Sequence, residues 1–328
     1  MWEKIFLDLT DGLRAIDEAI CFLQMNRGDR LGHAIALGID PHDWYASKNN
    51  RIFLPRQDLL DNMVWLLEKM YEYNIYEPYV EREIQKVYQE NYREVFLDSL
   101  RKETDLFPVD VHQYFAAMKL RGNDPMLYVR VPAENGSAFI KFCDDLTLEA
   151  ALEMWKVYDE TEKSRDWIAA RLYHHYHFNP SIKRKGTEQT EYTVSYSLVE
   201  VIAKVQKEMR HRIARKDIGI ETNPTSNYLI STFRDYCKHP IFAFNDSSLY
   251  DIADNPRMFV SINTDDLGVF DTSLENEYAL MACALENRNE FLPQEQRIPM
   301  EKIYNWLDHI RQMGCDQSFR RTSDANRV

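Results

Sequence analysis

The sequence predicts an α/β fold, part of a (β/α)8 barrel interrupted by a large, mainly α-helical insertion. Two observations carry this. Three short apolar runs share one form: Arg30–Leu37 (RLGHAIAL), Ile218–Asn227 (IGIETNPTSN) and Phe259–Asp266 (FVSINTDD) each lead from apolar residues into polar side chains and then into a helical pattern. Functional residues at the carboxyl ends of several strands are the layout of a β/α barrel site. Between the first and second runs, from Pro55 to about Lys216, the apolar spacing is helical, with almost no strand pattern. The expected parts are therefore barrel residues 1–54, a helical insertion over 55–216, and a second barrel portion with terminal helices over 217–328.

In chain order, IFLDL within Met1–Leu9 reads as a strand. Leu13, Ile16, Ala19, Ile20 and Leu23 recur at helical spacing, so Asp11–Asn26 is expected to be a helix ended by Gly28. In the insertion, Leu59, Leu60, Met63, Val64, Leu67 and Met70 form one apolar stripe. Tyr71–Leu100 reads as a long acidic helix, Asp110–Leu120 as a short one, and Leu148–His177 and Ser197–Arg215 as two more. Gly122–Pro132 reads as a loop or short extended piece. The aromatic residues Trp155, Tyr158, Trp167, Tyr173 and Tyr176 suit a core face or a subunit interface. After the second run, Tyr228–Cys237 reads as a short helix, His239-Pro240 as its stop, and Ile241–Pro256 as a loop with a brief helix. Helices are expected over Ser273–Asn287 and Pro299–Met313, followed by a polar tail, Phe319–Val328.

Composition limits the function classes. Of the 328 residues, 45% are hydrophobic, enough for a sizeable core, and the net charge of −13 argues against a nucleic-acid surface as the main feature. The five cysteines are widely spaced with no C-x-x-C pair, which suits a reducing cytoplasm. The H-x-E and P-C-x-x-C segments of cytidine-type zinc deaminases do not occur. No apolar run approaches the roughly 18 residues of a membrane helix, and Trp2, Glu3, Lys4 and Asp8 interrupt any N-terminal signal pattern.

The candidate site residues lie at the ends of the apolar runs. Asp265 and Asp266 follow the third run, and alternation along a strand would point them in different directions. The structural alternative is a polar turn capping the next helix, with Asp271 or Thr272 as N-cap and Glu275 in its first turn. His33 ends the first run between Gly32 and Ala34, as a site residue or a packed core histidine. His174, His175 and His177 are the one histidine cluster, at an expected helix end, and Ile182–Thr187 (IKRKGT) is the one concentrated basic run, a solvated loop or a phosphate contact.

Taken together, RLGH, ETNPTSN and SINTDDLGVFDTSLENEY, in that order, resemble the adenosine deaminase family of metal-dependent hydrolases. The last block, Val260–Tyr278, is the most specific, and the resemblance spans about the first 38 residues and roughly Ile218–Leu285. It implies the C-terminal part of a TIM-type, amidohydrolase barrel. The long insertion is similar to that of the long RADAR-type antiviral-defence deaminase subunit, which implies a homo-oligomer working beside a defence-system ATPase. By resemblance, Asp265 is a zinc ligand, Asp266 is catalytic and hydrogen-bonds the purine ring, and His33 orients and deprotonates a metal-bound water. The implied substrate is adenosine or an adenine nucleotide, deaminated hydrolytically to the inosine product.

The chain also departs from the family pattern. Neither a His-x-His pair nor a His-x-Gly-Glu segment precedes the first helix, where Glu3 is the only nearby acid outside the IFLDL run. Of the family's ligands only Asp265 can be placed, and one carboxylate does not hold zinc. The expectation is thus a partial site, inactive alone. An assembly scaffold without catalysis and an amidohydrolase acting on another nucleoside monophosphate stand as alternatives.

Overall fold

The computed structural model describes residues 8–97, 99–100, 109–123, 130–133, 136–139, 166–247, 249–250 and 255–317. Residues 5–7 of the IFLDL run, Glu3, Cys143, Trp155, Tyr158, residues 148–165 of the Leu148–His177 segment and the tail after Gln317 lie outside these residues, whereas Asp8 and Leu9, the end of the expected strand, are the N-cap and first residue of a helix. The chain divides into two compact units, one formed by residues 1–50 and 202–328, the other by 51–201.

The first unit is built on a three-stranded parallel sheet. The strand Gly219–Thr222 lies in the middle, flanked by Arg30–Gly32 and Phe259–Ile262. Register is direct: Leu31 pairs with Ile220 and Ile220 with Val260. Ile218, Ile220, Val260 and Ile262 are all buried, as expected of strands covered on both faces. The helix Met300–Asp316 packs on the Phe259 strand, with Ile303, Trp306 and Ile310 buried, and the Trp306 indole donates to the Asn245 carbonyl at 2.8 Å.

Several boundaries differ from the sequence expectations for local reasons. The first helix runs Leu9–Phe22, and its C-cap is Leu23 rather than a residue next to Gly28, which instead takes φ +93° in the turn before the Arg30 strand. The first apolar run is only in part a strand, because His33 and Ala34 adopt left-handed backbone and Ile35–Leu37 forms a 3-10 turn. Gln206 donates to the Ala36 and Ile39 carbonyls and Arg210 to that of Leu37, each at 2.7 Å, holding this turn to the helix Tyr196–Arg215. The helix after the second run begins at Pro224 and ends at Ile230, earlier than expected, because Pro224 fits the first helical turn. Tyr236–Lys238 is a separate 3-10 turn, and Ile241–Phe244 is the brief helix of the following loop.

The second unit is mainly helical but carries strands the spacing did not predict. Arg51–Pro55 pairs antiparallel with Gln189–Thr193, burying Ile52 and Leu54 while Phe53 faces out. Arg130–Ala133 pairs antiparallel with Gly136–Phe139, so the end of Gly122–Pro132, expected as a loop or short extended piece, is a strand. The apolar stripe lies on the helix Arg56–Glu72, and all six of its residues are buried. The expected long helix starts instead at Pro78 and runs to Phe96, because Pro78 takes the first helical position after a break. The helix Val111–Lys119 opens with a reciprocal capping box between Asp110 and Gln113. The basic run falls on a helix, Pro180–Gly186, capped by Asn179, which accepts from the Ser181 and Ile182 amides.

A buried polar cluster in this unit surrounds Asp61, which is 2% exposed. Its carboxylate accepts a forked pair from Arg121 at 2.5 and 3.0 Å, the Tyr114 hydroxyl at 2.8 Å and the Gln57 amide at 2.9 Å. Arg121 also lies 4.1 Å from the centroid of the Tyr176 ring. His177 is packed edge-on to Tyr173 and Tyr176, and burial with nearby Arg121 and Lys183 lowers its pKa. Among the described residues, no group of three or more His, Cys, Asp and Glu side chains has metal-binding geometry, and the histidine cluster is no exception.

Candidate active site

The carboxyl ends of the three parallel strands bring three polar segments together. Just past the first strand, the His33 N–H donates to the Glu221 carbonyl at 2.7 Å, extending the sheet by one bond. The next residue, Ala34, joins His33 in left-handed backbone, with φ values of +45° and +61°. L-residues rarely adopt this conformation, which costs on the order of 1–2 kcal/mol each. The side chain of His33 thereby faces across the ends of the sheet instead of alternating along it.

The segment after the middle strand supplies the amides that His33 meets. Asn223, Ser226 and Asn227 are all buried. Asn227 Nδ2 lies 2.8 Å from His33 Nδ1, and Asn223 Nδ2 lies 3.5 Å from the same nitrogen. Behind Asn227 sits His239, 2% exposed and within reach of Asn227 Oδ1 at 3.2 Å. Burial alone pushes the His239 pKa down to about 3.

The third strand delivers the carboxylates. The strand ends at Ile262, and Asp265 takes φ +59°, so Asp265 and Asp266 diverge because of this turn and not through strand alternation. Asp265 Oδ2 accepts from the Ser226 hydroxyl at 2.7 Å and lies 3.6 Å from His33 Nε2, and Oδ1 accepts the Asp266 N–H at 2.9 Å. Asp266 is exposed, and its Oδ1 accepts the Gly268 N–H as the cap of the four-residue helix Leu267–Phe270. The N-cap of the long helix Leu274–Glu290 is Ser273, not Asp271 or Thr272, and Asp271 is the left-handed residue closing the short helix.

The structure thus brings His33 and Asp265 together, with Asp266 next to Asp265 facing solvent. Four residues with no individual role in the sequence pattern complete the arrangement: Ser226, Asn227, His239 and Glu277. The carboxylate of Glu277 is fully buried, accepts the Thr225 N–H at 2.8 Å and the Thr272 hydroxyl at 2.6 Å, and so ties the segment after the middle strand to the one after Asp266. The sequence signal for it was the L-x-x-E-Y spacing within LENEY. His239 was readable only as a helix stop beside Pro240.

A zinc ion, which a deaminase-type site implies, does not fit the described residues by themselves. Catalytic zinc sites generally use three protein ligands. Here Asp265 is one carboxylate beside one imidazole, and its oxygens already accept from Ser226 and the Asp266 amide.

Residues 199–302 match the family model described as adenosine deaminase. A curated adenosine deaminase from Shewanella denitrificans is 32% identical over 92 residues, or 28% of this chain. That stretch is 25% of the relative, so this chain matches about a quarter of its length. The family match takes in the middle and third strands with Asn223, Ser226, Asn227, His239, Asp265, Asp266 and Glu277, whereas His33 lies outside it. Among the described residues, no helix is long and apolar enough to cross a membrane.

Proposed function

We propose that the carboxyl end of the parallel sheet is the C-terminal part of a purine-deaminase active site, within a (β/α)8 barrel of which residues 1–54 and 217–328 are portions. The observation that carries this is the meeting of His33 and Asp265 past the ends of the two outer strands, with His33 Nε2 3.6 Å from Asp265 Oδ2 and the buried amide of Asn227 on the other ring nitrogen. The adenosine deaminase match over residues 199–302 supports the substrate class. The reaction is hydrolytic deamination: water adds at the purine carbon bearing the amine, the C–N bond breaks, ammonia leaves and a carbonyl remains.

In this scheme Asp266 hydrogen-bonds the purine ring from its exposed position, and Asp265 and His33 orient the attacking water. Were a zinc ion bound, as the family likeness implies, Asp265 would be one of its ligands. The likeness of the insertion to antiviral-defence deaminase subunits supports a cytoplasmic homo-oligomer acting beside an ATPase.

A second reading, an assembly subunit without catalysis, is favoured by the lack of a metal-binding group among the described residues. One experiment separates the two: the adenosine-to-inosine absorbance change of the purified full chain, with zinc content measured on the same sample. Turnover that Asp265→Ala abolishes supports the deaminase. Adenosine binding without turnover supports a site retained in an assembly subunit. Neither binding nor turnover of adenosine or its nucleotides overturns the proposal.

A further inference from the structure

Asn227 and His239 form a buried relay whose direction is set by backbone amides. The Ile241 N–H donates to His239 Nδ1 at 3.1 Å, so this nitrogen carries no proton. A neutral His239 therefore holds its proton on Nε2, which faces Asn227 Oδ1 at 3.2 Å. Deep burial keeps His239 neutral through the physiological range. The same Asn227 oxygen also accepts the Asn223 backbone N–H at 3.1 Å. A backbone amide cannot be reversed as a side-chain amide can, so Asn227 is held with its oxygen toward Asn223 and His239 and its NH2 toward His33.

We infer that Asn227, held by His239, is a positioning residue that fixes the tautomer of His33, leaving Nδ1 bare and placing the proton on Nε2 toward Asp265. His33 Nδ1 then accepts from Asn227 Nδ2 at 2.8 Å, with Asn223 Nδ2 as a more distant second donor. His33 Nε2 is consequently a donor, aimed at Asp265 Oδ2 3.6 Å away. This assigns His33 the orienting hydrogen bond to Asp265 or to a water beside it, in place of the proton-abstracting role that the family likeness implies. The catalytic meaning rests on the purine-deaminase proposal, but the tautomer does not.

Long-range proton–nitrogen correlation NMR of the full chain, labelled with 15N in histidine, tests the relay directly. The His33 signals are identified by their loss in His33→Gln. The wild-type chain is expected to show His33 and His239 both with Nδ1 bare and Nε2 protonated. Asn227→Asp puts a carboxylate oxygen against His33 Nδ1 and is expected to move its proton to Nδ1, leaving Nε2 bare. Asn227→Leu removes the donor and is expected to give a mixture of the two tautomers. A wild-type His33 protonated on Nδ1 with bare Nε2 overturns the relay. So does a His33 pattern unchanged in both variants while the His239 signals report intact packing. If neither variant folds, the wild-type spectrum decides. The predicted tautomer in a chain that neither binds nor deaminates adenosine leaves the relay standing and removes the deaminase proposal. Deamination by a chain with the opposite tautomer does the reverse.

Discussion

The strand ends of the first unit and the Asp61 cluster of the second are both rich in buried polar groups, yet they are built to different ends. Around Asp61 the charges answer one another: the forked Arg121 pair, Tyr114 and Gln57 converge on one carboxylate that is almost fully out of solvent. At the strand ends, hydrogen bonds run in a line from the buried His239 through Asn227 to His33, and the line finishes near Asp265 and the exposed Asp266. A closed cluster holds a fold together. A line with a solvent-facing end leaves donors and acceptors available to a ligand. Burial of polar groups is common to both, so it is the open end that marks the functional candidate.

The largest expected effect lies in the closed cluster. Asp61→Ala leaves the largely enclosed Arg121, 14% exposed, without its carboxylate partner and is expected to destabilise by about 3–5 kcal/mol. Urea denaturation followed by far-UV circular dichroism reads this loss. A variant within about 0.5 kcal/mol of the wild type, the usual range of surface substitutions, removes the structural role of the cluster.

The next effect comes from the buried end of the line. His239 is neutral in the folded chain because burial lowers its pKa from 6.5 to about 3, whereas the unfolded chain binds a proton near the ordinary value. Its contribution is complete above pH 6.5 and is lost as pH falls toward about 3, because only the unfolded state takes up the proton in that window. The slope is at most about 1.4 kcal/mol per pH unit. His239→Gln is expected to flatten this part of the stability profile, and identical slopes for variant and wild type refute the burial effect.

The smallest effect concerns the backbone after His33. Ala34 sits at φ +45°, which glycine adopts without penalty, so Ala34→Gly is expected to stabilise by about 0.5–1 kcal/mol. Thermal unfolding measures this shift. A destabilised variant means that the left-handed turn does not persist in solution.

These differences also mark what the sequence reveals. Apolar runs bounded by turns led to the three strands, because Leu31, Ile220 and Val260 pair in register and strand burial leaves a direct hydrophobic trace. Helical stripes such as Leu59–Met70 were legible for the same reason. The edge pair Arg51–Pro55 with Gln189–Thr193 was not, since one partner reads QTEYT, polar on both faces, and its pairing spans more than a hundred positions. At the site, His33, Asp265 and Asp266 stood out by residue type and position. The left-handed turns that aim them did not, because no glycine marks those positions. Asn227 and His239 were hidden for a different reason: their part depends on a backbone N–H at Ile241 and another at Asn223, which no side-chain pattern encodes.

The most direct test of the central claim is a chemical-shift map of the 15N-labelled full chain titrated with adenosine. The account predicts saturable shifts at His33, Asn227 and Asp266, with the Asp61, Tyr114 and Arg121 signals unmoved. Shifts confined to the Asp61 cluster, or no saturable shift with adenosine or its nucleotides, would contradict it.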